Sequence, residues 1–225
     1  MVPFATGAAH PEGGHRHHSL RTPMPDTLTE PQSEILDAAA ACFMKLGVSV
    51  ASVDDIARSL GATKGRIYHH FTSKGALLGA VRLQAPEFTR QAVAPVIDDS
   101  LPPGRNFHNM ALAHVAAVFQ SLPYHKVVMQ HYTGLEPKSP KAADRAMEVR
   151  IQAANTRYED LFRAVIRKGM ERGEFRRQNL SVALHSVLIL LNAPVFWYSP
   201  RPSEPEGFTA QVARQLADMG LAALI

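Results

Sequence analysis

Apolar residues recur along this chain at intervals of three and four, and no stretch alternates at period two, which predicts helices and no sheet. Thr29 and Gln32 are spaced as a capping box, and Pro31 falls in the first turn, where its missing N–H is harmless. Ile35, Ala39, Cys42, Phe43 and Leu46 then repeat at helical spacing until Gly47 stops the run. Ser52 with Asp55 starts a short helix whose Ile56 and Leu60 lie on one face, and small Ala57 lets another helix cross closely. Gly61 ends it, and Thr63 caps a second short helix that turns Ile67 and Phe71 inward. A further helix begins near Lys74 and reaches the 90s, with Leu77, Leu78, Val81, Phe88 and Val93 inside and Pro86 and Pro95 as points of kink or break.

Beyond Leu101 the pattern stays helical. Phe107, Leu112, Val115, Ala116 and Phe119 mark a helix ending before Pro123, and 126–132 a shorter one stopped by Gly134. A long helix follows from about Lys141 to Arg172, with a stripe of Met147, Ile151, Ala154, Tyr158, Leu161, Phe162, Val165 and Ile166. Gly173 to Phe175 makes a turn, and Asn179 caps a helix from Leu180 to Leu191 that is apolar on nearly all sides. Such a helix needs burial on every face. A membrane span is the rival reading, but His185, Asn192 and Pro194 interrupt a short run. A last helix over 206–224 offers Phe208, Val212, Leu216 and Met219 as a second stripe.

The two short helices around Gly61 have the form of a helix-turn-helix. Thr63, Lys64, Gly65, Arg66, Tyr68, His69 and His70 fall on the outer face of the second. From Ile56 to Pro86 every formal charge is positive, while Glu30, Glu34, Asp37, Asp54 and Asp55 lie upstream. That polarity suits phosphate contact better than the overall charge balance does. The bland alternative is a solvated helical hairpin that packs against another protein.

Taken together, Ile35-Leu36, Ala39, Phe43, Gly47, Ser52-Val53, Ile56-Ala57, Gly61, Thr63-Lys64-Gly65, Ile67-Tyr68, Phe71 and Ser73-Lys74 resemble the N-terminal domain of the TetR family of repressors. The resemblance implies an all-α chain: a three-helix helix-turn-helix domain over 27–75, then a helical ligand-binding and dimerisation domain over 76–225. It places Lys64, Arg66 and His69 at bases or nearby phosphates, and Ser52, Tyr68 and Lys74 on the DNA backbone. Thr63 and Gly65 complete this DNA-binding set. Gly75 departs from the family pattern, which commonly has an acid there, and weakens the first turn of its helix. Arg157-Tyr158, Gly173 to Arg176 and Phe196 to Tyr198 resemble a branch that regulates fatty-acid, sterol and aromatic-acid breakdown, often in response to CoA thioesters.

The implied partners are double-stranded operator DNA, a second copy of the chain and a small-molecule effector, either an acyl-CoA or another hydrophobic molecule. Leu184, Val187, Leu188 and Leu191 with Phe208, Val212, Leu216 and Met219 are the expected dimer interface. Bulky groups on separate helices, Phe119, Met129, Tyr132, Tyr158, Phe162 and Trp197, are the expected pocket walls. Arg150 and Arg157, two turns apart on one face, are candidates for the effector's phosphates, or else a solvated edge.

Composition adds bounds. The 225 residues are 46% hydrophobic and 20% charged, which fits one or two ordinary soluble domains. A formal charge of +4 permits nucleic-acid binding without requiring it. Cys42, the single cysteine, has no intramolecular partner, so a reducing, cytoplasmic location is expected. No membrane attachment is expected, because the apolar run after Asn179 is short and interrupted. Residues 1–26, rich in Gly, Pro and His, are expected to be disordered; Arg16 and Arg21 offer a basic arm, and His15, His17 and His18 have no further ligand at metal spacing. No cofactor, metal or catalytic residue is expected, because no nucleophile elbow, P-loop, dinucleotide fingerprint or H-E-x-x-H is present. His185, on an apolar helix, is expected in the core. The competing functional class is a helical interaction or architectural DNA-binding protein without an effector.

Overall fold

The computed structural model describes residues 28–133 and 142–225, and among them it has ten α-helices and no strand. The expected disorder of residues 1–26 and the side chain of Tyr132 lie outside the described residues. In chain order the helices are α1 (Glu30–Leu46), α2 (Val53–Ser59), α3 (Lys64–His70), α4 (Lys74–Val93) and α5 (Pro103–Gln120). There follow α6 (Leu122–Thr133), α7 (Ala142–Arg172), α8 (Leu180–Leu191), α9 (Pro194–Trp197) and α10 (Phe208–Ala222). Local signals fix most starts. Gln32 Oε1 accepts the Thr29 N–H at 3.0 Å, Ser52 Oγ accepts the Asp55 N–H at 3.2 Å, and Asn179 Oδ1 accepts the Val182 N–H at 3.1 Å. Gly61 takes φ of 59° in the turn after α2, a left-handed conformation that suits a residue without Cβ.

Two of these helices differ from the sequence pattern, both at prolines. α6 starts at Leu122, four residues earlier than expected, because Pro123 sits in its first turn, where no N–H is needed. α4 continues through Pro86; the chain leaves α-geometry only at the 3-10 turn Ala94–Val96, which contains Pro95.

Two apolar cores result. The first gathers Ile35, Leu36, Phe43, Ile56, Ile67 and Leu77, each 1% exposed or less, so α1 carries the α2–α3 pair on its back. Leu46 is outside it, 41% exposed, because its position faces past the last turn of α1 to solvent. Tyr124 and Val127 of α6 enter this first core and join the two halves of the molecule. The second core centres on Phe107, Phe162 and Ile166 with Leu184 and Leu191, and the Phe107 and Phe162 rings meet edge to face at 5.8 Å. Each such side chain, fully buried, is worth about 1.5–3 kcal/mol. α4 belongs to both cores: Leu77 to Ala85 pack in the first and Val93 in the second. It is also clamped to α7, where Arg82, 5% exposed, holds Glu148 through both guanidinium NH2 groups.

The corner after α7 is built by residues that carried part of the branch resemblance. Gly173 has φ of 73°, Glu174 Oε2 accepts the Gly104 N–H at the start of α5 at 3.1 Å, and the Arg176 N–H donates to Leu224 O at 2.8 Å. Phe175 fills the second core against Gly169. These contacts make the segment a structural corner.

Candidate functional site

The outward face of the helix-turn-helix follows from α2 and α3 packing over α1. With Ile67 buried, Thr63, Lys64, Gly65, Arg66, Tyr68 and His69 all stand exposed, Tyr68 at 48%. Ser52 and Thr63 are N-caps: Ser52 Oγ donates to Asp55 Oδ2 at 2.6 Å, and Thr63 Oγ1 accepts from the Arg66 N–H at 3.4 Å. The hydrogen bond from the Ser52 hydroxyl is the first reason that the Asp55 carboxyl is held down to about 2. Lys74 Nζ lies 3.4 Å from the Ser49 carbonyl, beside the loop leading into α2.

Two acids attend the cations of this face. Lys64 pairs with Asp54 at 2.6 Å, which raises the pKa of the lysine, and Arg66 pairs with Glu34 of α1. All four side chains are at least 40% exposed, so the pairs are weak and solvent-screened. They leave both cations on the exposed face of α3, free to exchange these acids for another anion.

A recess adjoins this unit, between α4 and α7 with α1 and α6 at its end. It is open to solvent on one side and has a volume of about 1130 Å³. Leu83, Phe88 and Gln91 of α4 form one wall, and Arg150 and Arg157 of α7 the other. Asp37 of α1 and Tyr124 of α6 close the end, and these two also line a second recess of about 530 Å³ reaching Ser121. Tyr124 Oη donates to Asp37 Oδ1 at 2.7 Å, and its ring meets Phe88 edge to face at 4.9 Å. Arg90 is held by Glu87. Hydrogen bonding from Arg90 lowers the Glu87 pKa most, with Arg157 adding a smaller through-space effect.

Of the described members of the expected pocket set, only Arg150 and Arg157 line either recess. Tyr158 and Phe162 are 7% and 0% exposed inside the second core, where Phe119 packs at the edge against the Tyr198 ring at 4.8 Å. Met129 is half-buried on α6, and Trp197 is 54% exposed. The Tyr158 hydroxyl meets His114 Nδ1. Burial pulls the His114 pKa down to about 3, with His125 adding to it and Asn192 opposing, and burial pulls His125 down to about 4. Both imidazoles are therefore neutral. Spacing alone puts Arg150 and Arg157 on one face, and the packing of four helices brings Asp37, Phe88 and Tyr124 opposite them.

The expected interface residues divide between inside and outside. Leu184, Val187, Leu188, Leu191 and Leu216 are buried within their own protomer, because their side of α8 and α10 faces α5 and α7. Phe208 and Val212 are partly buried, and Met219 is 48% exposed. The apolar side chains left open on α8 and α9 are Val182, Ile189, Phe196 and Trp197. His185, expected in the core, stands on this open side with Nδ1 2.7 Å from the Ser181 carbonyl, because 185 lies one turn from both Val182 and Ile189. The window Leu180–Trp197 is apolar enough to cross a membrane, with mean hydropathy 1.8. It is divided between α8 and α9, with Asn192 donating to the Leu188 carbonyl at the break. Among the described residues no three His, Cys, Asp or Glu side chains gather as a metal site.

Comparison with known proteins agrees with this architecture. Residues 35–81 match the model for bacterial regulatory proteins of the tetR family, and residues 100–224 match the tetracyclin repressor-like C-terminal domain. The HTH-type transcriptional repressor KstR2 of Mycobacterium tuberculosis is 22% identical over 170 residues, 75% of this chain and 82% of that protein. The crystal structure of the TetR family regulator PfmR from Thermus thermophilus superposes with a TM-score of 0.70 at 29% identity, covering 84% of this chain and 97% of that one. AibR, solved in complex with isovaleryl coenzyme A and operator DNA, superposes with a TM-score of 0.68 at 20% identity over 84% of this chain and 97% of its own. With one family model spanning its helix-turn-helix and a second most of its remaining length, the chain belongs to the TetR family of DNA-binding transcriptional regulators, which are not enzymes.

Proposed function

We propose that the protein is a dimeric, cytoplasmic repressor that leaves its operator when a small molecule binds its helical C-terminal domain. The observation that carries this reading is the outward array on α3, where Lys64, Arg66, Tyr68 and His69 stand exposed around a single buried anchor, Ile67. The face is short and reads only a few base pairs, so useful specificity needs two copies on a two-fold site, with half-sites about 34–36 Å apart or a multiple of that. In this reading residues 27–75 read DNA and 76–225 hold the effector and the dimer contact, with α4 shared. The open apolar side chains Val182 and Ile189 of α8 support a partner copy on that side of the helix, a change of face from the leucines buried in α8, and Met219 of α10 is open as well.

An acyl-CoA is the favoured effector class. Two supports exist: the sequence resemblance to CoA-responsive regulators, and a fold shared with AibR, which was solved with isovaleryl coenzyme A. The filled second core favours the other reading, a helical DNA-binding protein with no effector, since Phe107 and Phe162 leave no room between them. The test is selection of bound DNA from random duplexes, followed by release with acyl-CoAs of graded chain length and with free CoA. Affinity should rise by about 0.8 kcal/mol per added CH₂ until the site is full. Recovery of an operator that no thioester or free fatty acid releases, with no thermal protection by either, would favour the effector-free reading.

A further inference from the structure

Arg150 and Arg157 are cations with no hydrogen bond or salt bridge to hold them among the described residues, although Arg157 feels the Glu87 carboxylate through space. Arg90, on the wall facing them, is held by Glu87. They lie seven residues apart on one face of α7, so about 10 Å of helix separates them. One carboxylate satisfies only one of the two. An extended head with several anionic groups satisfies both, and arginine suits such groups because its planar fork donates in pairs. Opposite them, Leu83 and Phe88 supply an apolar wall, and the recess of about 1130 Å³ is large enough for a substantial ligand.

We propose that the effector site is this interdomain recess, and that it takes a polyphosphorylated amphiphile: phosphates on Arg150 and Arg157, apolar body along Leu83 and Phe88. This rests on the effector reading above and moves the site away from the aromatic core of Tyr158 and Phe162. The location also supplies a route to the DNA face. Asp37 and Tyr124 close the inner end, and their hydrogen bond ties α6 to α1, the helix on which α2 and α3 sit. A body driven to that end competes with the tie and loosens α1 from α6. A ligand that binds the loosened arrangement better shifts the population toward it.

The test uses the full chain with dodecanoyl-CoA, dodecanoate and free CoA as probes, read by calorimetric affinity and by release of a selected operator. The variants are Arg150→Glu/Arg157→Glu, its milder form Arg150→Gln/Arg157→Gln, and Phe162→Leu in the core. The expected result is dodecanoyl-CoA binding to wild type that weakens at least tenfold in the charge reversal, less in the Gln pair, and less than twofold in Phe162→Leu. Dodecanoate should bind more weakly than the thioester and lose less on reversal. The reversal's effect should shrink as salt rises, because both arginines reach solvent. If dodecanoyl-CoA releases the operator from wild type and reversal changes affinity by less than twofold, the recess is not the site, while the effector reading stands. Operator binding that none of the three probes disturbs, with no heat of binding, removes both.

Discussion

Tyr124 and Asp37 are 87 positions apart, yet the tyrosine hydroxyl donates to the carboxylate at 2.7 Å and joins the two halves of the molecule. Burial first, and the Asp37 carboxylate second, push the pKa of this hydroxyl up, so it stays a donor at any working pH. Tyr124→Phe keeps the ring against Phe88 and removes only the hydrogen bond. Loss of this bond to a charged acceptor costs about 1.5–3 kcal/mol at most, less where exposed Asp37 is rehydrated. If the tie favours the operator-bound arrangement, the variant binds operator several-fold more weakly and dodecanoyl-CoA more tightly, as reciprocal linkage requires. A lower Tm with both affinities unchanged would make the tie structural only.

On the DNA face the acids decide how a mutation should be read. Exposed pairs such as Lys64–Asp54 and Arg66–Glu34 contribute little to stability, so they do not prevent the cations from turning to DNA. Lys74→Ala should weaken binding nearly uniformly across operators and lower the salt slope by about one. Tyr68→Phe should also act uniformly, without changing that slope. Arg66→Ala should change operator preference by about 1–3 kcal/mol at one base pair. These outcomes are read by binding a panel of single-base operator variants at two salt concentrations. Intact affinity in all three of Lys64→Ala, Arg66→Ala and Lys74→Ala would place the reading face elsewhere.

The DNA-reading unit was legible because its signals are local. Ser52 with Asp55, Gly61 and Thr63 act within one helical turn, and each keeps its place in the structure. The recess was not legible, because Phe88, Tyr124, Asp37 and Arg157 come from four helices and meet only through tertiary packing. Periodicity found α8 but not its inner side. A helix apolar all round gives no angular signal, so Val187 and Ile189 look alike in sequence although one is 1% exposed and the other 66%. Tyr158 and Phe162 are bulky enough for pocket walls, and in the structure the same bulk fills a core.

The close approach of α7 to the corner at Gly173 gives a stability prediction. A Cβ on Gly169 would fall 2.1 Å from Cδ2 of Phe175, whose ring is 2% exposed. Ala is the better helix former by about 1 kcal/mol. Overpacking a buried ring costs about 1–3 kcal/mol, so Gly169→Ala should be destabilising on balance. Its Tm should fall by roughly 2–4 °C per kcal/mol lost, and adding Phe175→Leu should recover part of the loss. A Tm above wild type would mean that the Phe175 ring yields freely.

Assembly is tested by two substitutions on one helix. Ile189→Glu introduces a charge on the open side of α8, where a partner copy would bury it, at about 2–5 kcal/mol per contact. It should give a folded monomer with near-wild-type helicity and lost operator affinity. Val187→Glu puts the same charge inside the protomer and should unfold or aggregate the protein instead. Sedimentation and circular dichroism at micromolar concentration separate the two. A wild-type monomer under those conditions, or an Ile189→Glu dimer, would remove the assignment of this face.

The buried histidines set the acid limit of stability. His114 and His125 are neutral in the fold, held near 3 and 4 by burial, whereas in the unfolded chain each titrates near 6.5. Between those values the unfolded state binds more protons than the folded one, so stability rises with pH there. It is fully present above about pH 6.5 and falls as pH drops toward 4, by about 1.4 kcal/mol per pH unit for each histidine at the steepest. Below the folded values the loss levels off. Asp55 acts lower still, since its carboxyl, held near 2, protonates in the unfolded chain first. Denaturant midpoints measured from pH 7.5 to 4.5 should therefore fall with a slope approaching two protons. In His125→Gln that slope should drop toward one, since glutamine carries no charge at any pH in the range. An unchanged slope in that variant would mean that His125 is solvated and titrates normally in the fold.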